Sequence, residues 1–256
     1  MNAAAAVVDL AAPGGGGRRR GASGRLRART AAFAGGSAPL LVVALAVSMH
    51  LGSAVATGLF AQAGPIGVLW LRCLLAALLL LAIFRGRALA LPRASRTGVI
   101  ALGVVLAAMN ACFFEAIDRI PLGVASTIEF TGPLLVAVLG SRRPRDVGFA
   151  LLAGLGVALL GSPSANVDTL GAVFAFGSAV CWAAYILLAK RLVGGAEPLP
   201  VLTATLVVAA VVLTAPALAT SGPALWDGHV LLVAFAVAAL ASAVPYLLEQ
   251  IGRAHV

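Results

Sequence analysis

Glu129 stands in the run Ser126-Thr127-Ile128-Glu129-Phe130-Thr131-Gly132-Pro133-Leu134-Leu135, within an otherwise apolar stretch. A charged side chain at the centre of a bilayer costs roughly 2.5–3.5 kcal/mol on insertion scales. Chains keep such groups where they face a bundle interior, a wet cavity or an ion path. As a carboxylate, Glu129 can hold an ammonium group or exchange a proton; its other reading is a structural partner for Arg72. Gly132 and Pro133 follow directly and shape the backbone. The pair predicts a kink or a local unwinding that would offer carbonyls to a ligand. This decapeptide points to transport.

Arg72 is the basic residue deepest in an apolar run. Its guanidinium can grip a carboxylate with two hydrogen bonds, or it can neutralise Glu129 or Glu115. Asn110, Glu115, Glu249 and His50 complete the candidate substrate- and proton-binding set. Glu115 and Glu249 lie towards helix ends, where interfacial water is within reach. His50, with Ser48 and Ser53 nearby, can relay protons or hydrogen-bond a neighbouring helix. Asn110 carries the same two readings. Trp182 and Tyr185 are candidate cavity-lining side chains, as is Trp70, although aromatics at such depths also serve as packing or interface anchors.

The elements that must position these residues follow from composition. The chain has 256 residues, is 61% hydrophobic and 11% charged, with mean hydropathy +1.05. Soluble domains carry about 25% charged residues, so this is a polytopic membrane protein. Its apolar segments are of helical length and lack the alternation of barrel strands. The fold class is all-α. The net charge of +9 and pI near 11.2 do not imply nucleic acid, because the basic residues sit in the N-terminal tail and on one set of loops. Cys73, Cys112 and Cys181 lie in apolar runs without metal-ligand spacing and read as core residues; no metal or cofactor is expected.

Residues 1–36 form a low-complexity, arginine-rich stretch, expected to be a disordered cytoplasmic tail. Spans are predicted at 39–61, 65–84, 97–117, 122–140, 147–161, 170–189, 199–220 and 229–250. With the N-terminus inside, the inner loops carry Arg85, Arg87, Arg93, Arg96, Arg142, Arg143, Arg145, Lys190 and Arg191. The outer loops carry Arg119 against Asp118, Asp168 and Asp227. The basic-inside bias fixes that orientation.

Gly52-Ser53-Ala54-Val55 in the first span matches Gly177-Ser178-Ala179-Val180 in the sixth. Likewise Phe113-Phe114-Glu115-Ala116-Ile117 closes the third span and Tyr246-Leu247-Leu248-Glu249-Gln250-Ile251 the eighth. A repeat of five helices inverts its second copy across the membrane, with the substrate site between copies. The organisation expected is a first five-helix repeat at 37–162 and an incomplete second repeat, helices six to eight, at 163–250. The closing Ile251-Gly252-Arg253-Ala254-His255-Val256 matches the translation of a common sequencing adapter, so 251–256 is expected to be an artefact of a cut near Gln250.

Several of these features carry a family resemblance. They are Met109-Asn110, Ile120-Pro121-Leu122-Gly123-Val124, Glu129-Phe130-Thr131-Gly132-Pro133-Leu134 and Ser141-Arg142-Arg143-Pro144. Cys181-Trp182-Ala183-Ala184-Tyr185-Ile186 and Pro245-Tyr246-Leu247-Leu248-Glu249 extend the pattern. Over roughly residues 39–250 the chain resembles the EamA family of the drug/metabolite transporter superfamily, and within it the bacterial threonine and homoserine exporters. The resemblance implies a ten-helix fold of two inverted five-helix units, truncated here to about eight helices. It implies export of small amino acids or related metabolites by proton antiport across a bacterial inner membrane. The implied partners are a small-molecule substrate, protons, the lipid bilayer and, in some relatives, a second copy in a homodimer. Glu115 departs from the apolar residue of the enteric pattern, which leaves the substrate open.

Efflux of other metabolites or drugs by the same fold is the nearest alternative. An intramembrane enzyme needs a nucleophile with an aligned base, or paired aspartates. His50 is the histidine well inside a span, His229 opens the eighth at its edge, and no aspartate lies deep in any span. A structural membrane subunit would leave Glu129 and Arg72 unexplained.

Overall fold

Backbone polar groups in lipid must be satisfied within the segment, which leaves the helix as the form these apolar runs can take. The computed structural model describes residues 47–84, 96–140, 168–192 and 197–240, with Gly148 and Leu155 as isolated positions. All regular structure among the described residues is helical. α1 occupies 47–57, α2 Phe60–Phe84, α3 Arg96–Arg119 and α4 Leu122–Gly140. α5 is Thr169–Leu192 and α6 Pro198–Ser221. A 3-10 turn at Gly222–Trp226 leads into α7, Gly228–Ala238. Among the described residues, 5 helices are long and apolar enough to cross a membrane. They correspond to the spans expected at 65–84, 97–117, 122–140, 170–189 and 199–220. The spans at 39–61 and 229–250 are described in part. The one at 147–161 lies outside the described residues except at Gly148 and Leu155, as do the tail 1–36 and the closing 251–256.

The reversals are written locally. α2 is two helical pieces meeting at Gly64, whose φ of 63° and ψ of 162° are non-helical. That conformation belongs essentially to glycine. Pro65 then starts the long run, where a missing N–H costs nothing. Pro121 stops α3 because the residue before a proline is steered away from helix. The Pro121 carbonyl in turn accepts from Val124 and Ala125 at 2.9 and 3.0 Å, seeding α4. Asp168 accepts from the Gly171 N–H at 3.0 Å, and Asp227 from those of His229 and Val230 at 2.9 and 3.2 Å. Each carboxylate satisfies orphan donors at a helix start.

α3 packs between α5 and α6, α4 lies along α5, and α2 packs against α6 and α7. Ser221 Oγ donates to the Ala63 carbonyl at 2.6 Å, and Gly171 abuts Ile120. The Gly64, Ile120, Asp168 and Ser221 turns therefore gather at one end of the bundle. Gly98 against Leu192 marks the opposite end.

Candidate functional site

Helices that cross antiparallel bring residues at equal depth together. Arg72 and Glu129 each lie seven positions in from Pro65 and Leu122, and Asn110 and Ser178 nine from Arg119 and Thr169. At 1.5 Å per residue, all four sit roughly 10–14 Å below the end that carries Gly64 and Ile120. A hydrocarbon core is about 30 Å thick, so this level falls between a third and a half of the way across. Here a cavity of about 70 Å³ is lined by Met49, His50, Ser53, Arg72, Met109, Asn110, Phe113, Glu129, Phe130 and Trp182. One water needs roughly 10–15 Å³ by the same measure, so the space holds several waters or a small solute.

Arg72 is 7% exposed. Its Nη2 donates to Asn110 Oδ1 at 2.5 Å, and Asn110 Nδ2 donates back to the Leu106 carbonyl at 2.8 Å. The guanidinium carbon lies 4.8 Å from the centroid of Phe114, a cation–π contact. These partners fix the orientation of the guanidinium while engaging few of its five donors. Arg72 forms no ion pair with Glu129 or Glu115; the sole ion pair among the described residues joins Arg119 to Glu115.

Glu129 is held from α5. Ser178, fully buried, has its Oγ 2.5 Å from Glu129 Oε1 and 3.0 Å from the Met109 carbonyl. Phe130 stacks on His50 with centroids 6.0 Å apart and meets Trp182 at 5.4 Å, forming an aromatic wall across α1, α4 and α5.

Of the kink or local unwinding predicted at Gly132 and Pro133, the unwinding does not occur. α4 is helical throughout 122–140. Pro133 has no N–H for the carbonyl of Glu129, so one backbone acceptor beside the carboxylate loses its helical donor. Gly132 is a contact: a Cβ there would overlap the Ala179 carbonyl oxygen of α5.

Thus the cavity unites Glu129, Arg72, Asn110, His50 and Trp182. Glu115 is elsewhere, bonded at 2.5 Å to Arg119 one turn on, near the bundle end. Tyr185 is 5% exposed in the core cluster and does not line the cavity. Trp70 also packs, donating to Thr214 Oγ1 at 3.0 Å and tying α2 to α6. Glu249 lies outside the described residues. Cys73 is buried and Cys112 and Cys181 half-buried, all as free thiols. Sequence reasoning did not single out Ser178, although the paired Gly-Ser-Ala-Val tetrapeptides hold the signal. Both of their serines, Ser53 and Ser178, stand at this site.

The sequence pattern of the EamA-like transporter family matches residues 36–162 and 169–254. The chain is 39% identical over 218 residues to the threonine/homoserine exporter RhtA of Salmonella typhimurium strain LT2, covering 83% of this chain and 73% of that protein. To the threonine/homoserine exporter RhtA of Escherichia coli K12 it is 40% identical over 217 residues, covering 83% and 72%. No solved structure matches the chain.

Proposed function

The chain belongs to the EamA-like transporter family, and on that footing we propose that it exports small amino acids of the threonine and homoserine kind in exchange for protons. One observation carries the reading: a buried arginine and a separate carboxylate share one small cavity without pairing to each other. A free amino acid presents a carboxylate and an ammonium on a single carbon. Arg72, steadied by Asn110, suits the former through its planar fork. Glu129 suits the latter.

Antiport follows from competition. A proton and a substrate ammonium seek the same Glu129 carboxylate, so each displaces the other. When the cavity faces the cytoplasm, cargo replaces the proton; when it faces outward, the proton replaces cargo. Phe130, Trp182 and His50 give the aliphatic part of the substrate an apolar wall. The orientation in the proposal places the N-terminus in the cytoplasm and the Asp168 and Asp227 end outside, in keeping with the basic-inside bias.

The test is uptake of radiolabelled threonine and homoserine into proteoliposomes of purified protein, with and without an imposed pH gradient. Gradient-driven accumulation that disappears in Glu129→Gln is expected. Uptake indifferent to both the gradient and the substitution would remove the mechanism.

A further inference from the structure

Ser178 faces two acceptors with one proton. Its Oγ is 3.0 Å from the Met109 carbonyl on α3 and 2.5 Å from Glu129 Oε1 on α4. A hydroxyl donates once, a backbone carbonyl only accepts, and a carboxyl group donates only when protonated. Both contacts are hydrogen bonds at the same moment only when Glu129 carries the proton: Glu129 O–H to Ser178 Oγ, and Ser178 O–H to Met109. When that proton leaves to a water or an amine in the cavity, the carboxylate needs a donor. Ser178 then turns its hydrogen from Met109 to Oε1, and that hydrogen bond between α3 and α5 is lost.

The geometry points to Ser178 as the positioning residue of the site, a relay whose single hydroxyl proton couples the charge state of Glu129 to the contact between α3 and α5. The inference rests on Glu129 as the group that exchanges protons. Its placement supports a relay. Ser178 is fully buried, so no bulk water competes for its single proton. The neighbouring Ala179 carbonyl is pressed on Gly132, which holds α5 against α4 within a turn of Glu129. A change at the carboxylate is therefore taken up on the α3 side of α5. Among the described residues, the titratable groups sharing the cavity with Glu129 are His50 of α1 and Arg72 of α2; α3 offers the uncharged Asn110 and α5 the indole of Trp182.

The experiment is an infrared pH titration of the purified protein, following the protonated-carboxyl band that is absent in Glu129→Gln, alongside liposome exchange at the same pH values. Ser178→Ala removes the donor to the ionised carboxylate. Hydrogen bonds to charged groups are stronger than neutral ones, so the band's midpoint is expected to move up by about half to one pH unit. Its frequency should shift as well. Ser178→Cys keeps the side-chain shape, somewhat enlarged, with a weak donor and is expected to move the midpoint the same way, which guards against misfolding of the alanine variant. The midpoint for exchange should follow. A midpoint unchanged in both variants, with only stability lowered, makes Ser178 a packing residue and overturns the inference while leaving antiport standing. A shifted band without any exchange supports the relay and removes the exporter reading. A Glu129 band that never titrates removes both.

Discussion

The side chains at the cavity divide the work by charge type, and substitutions should separate them. Arg72→Lys retains a cation but loses the planar fork and the geometry of the Asn110 bond. Threonine binding, measured at equilibrium with the radiolabelled amino acid, is expected to weaken by about tenfold, equivalent to about 1.4 kcal/mol. Glu129→Gln keeps the shape and an acceptor for Ser178 but removes the anion. Exchange should fall by about 10- to 100-fold, as expected from loss of a charged hydrogen bond, and should lose its pH dependence. Glu115→Gln, which breaks only the Arg119 contact at the bundle end, should leave exchange within about twofold, since exposed pairs contribute about 0–1 kcal/mol. The contrast shows what was readable beforehand. Glu129, Arg72, Asn110 and His50 stand out because a strongly polar group at lipid depth is costly, so sequence alone nominates them. Ser178 does not, because small hydroxyl residues are common wherever membrane helices pack. Tyr185 reads as a cavity residue by its neighbour Trp182, yet α5 is apolar nearly all round and its sequence cannot say which face meets the cavity.

Helix boundaries were legible where a residue forces them and illegible where packing decides. Gly64-Pro65 and Ile120-Pro121 end their helices through backbone sterics, and the expected spans break there. Gly132-Pro133 looks equally disruptive in sequence, but α4 continues through it with α5 packed alongside. Glycine substitutions test these roles separately. Gly64→Ala has space for its methyl group, the nearest atom being Ser221 Oγ at 3.8 Å, but not the backbone freedom. It should cost about 1–3 kcal/mol. Gly132→Ala has the backbone freedom but not the space, and overpacking there should cost about 1–3 kcal/mol. Gly140→Ala, with nothing within 4 Å among the described residues, should be neutral or stabilising by up to about 1 kcal/mol. Thermal unfolding in detergent ranks the three. Equal midpoints for Gly132→Ala and Gly140→Ala would show that the α4–α5 contact tolerates a methyl group.

Among the described residues the helix-capping acids and most of the basic residues lie at opposite ends, with Arg119 and Glu197 as exceptions. Asp168 and Asp227 cap helices at one end, while Arg96, Lys190 and Arg191 lie at the other. The proposed orientation, in keeping with the basic-inside bias, puts the basic end in the cytoplasm. Trp226, 65% exposed in the turn before α7, and Glu197, exposed before α6, report the two ends. Single cysteines at these positions, with Cys73, Cys112 and Cys181 replaced by alanine, should differ towards an impermeant thiol reagent. Trp226→Cys should label in intact cells and Glu197→Cys only after permeabilisation. The sign of coupling is set separately, by protons and cargo sharing Glu129, whichever way the protein lies in the membrane. In inside-out vesicles an acid lumen protonates Glu129 on that side, releases threonine there and should drive threonine inward. An alkaline lumen should not. Reversed labelling with uptake still driven by an acid lumen would invert the protein in the membrane and leave competition at Glu129 intact. Uptake driven by an alkaline lumen instead, whichever end labels, would remove competition at Glu129 as the source of coupling.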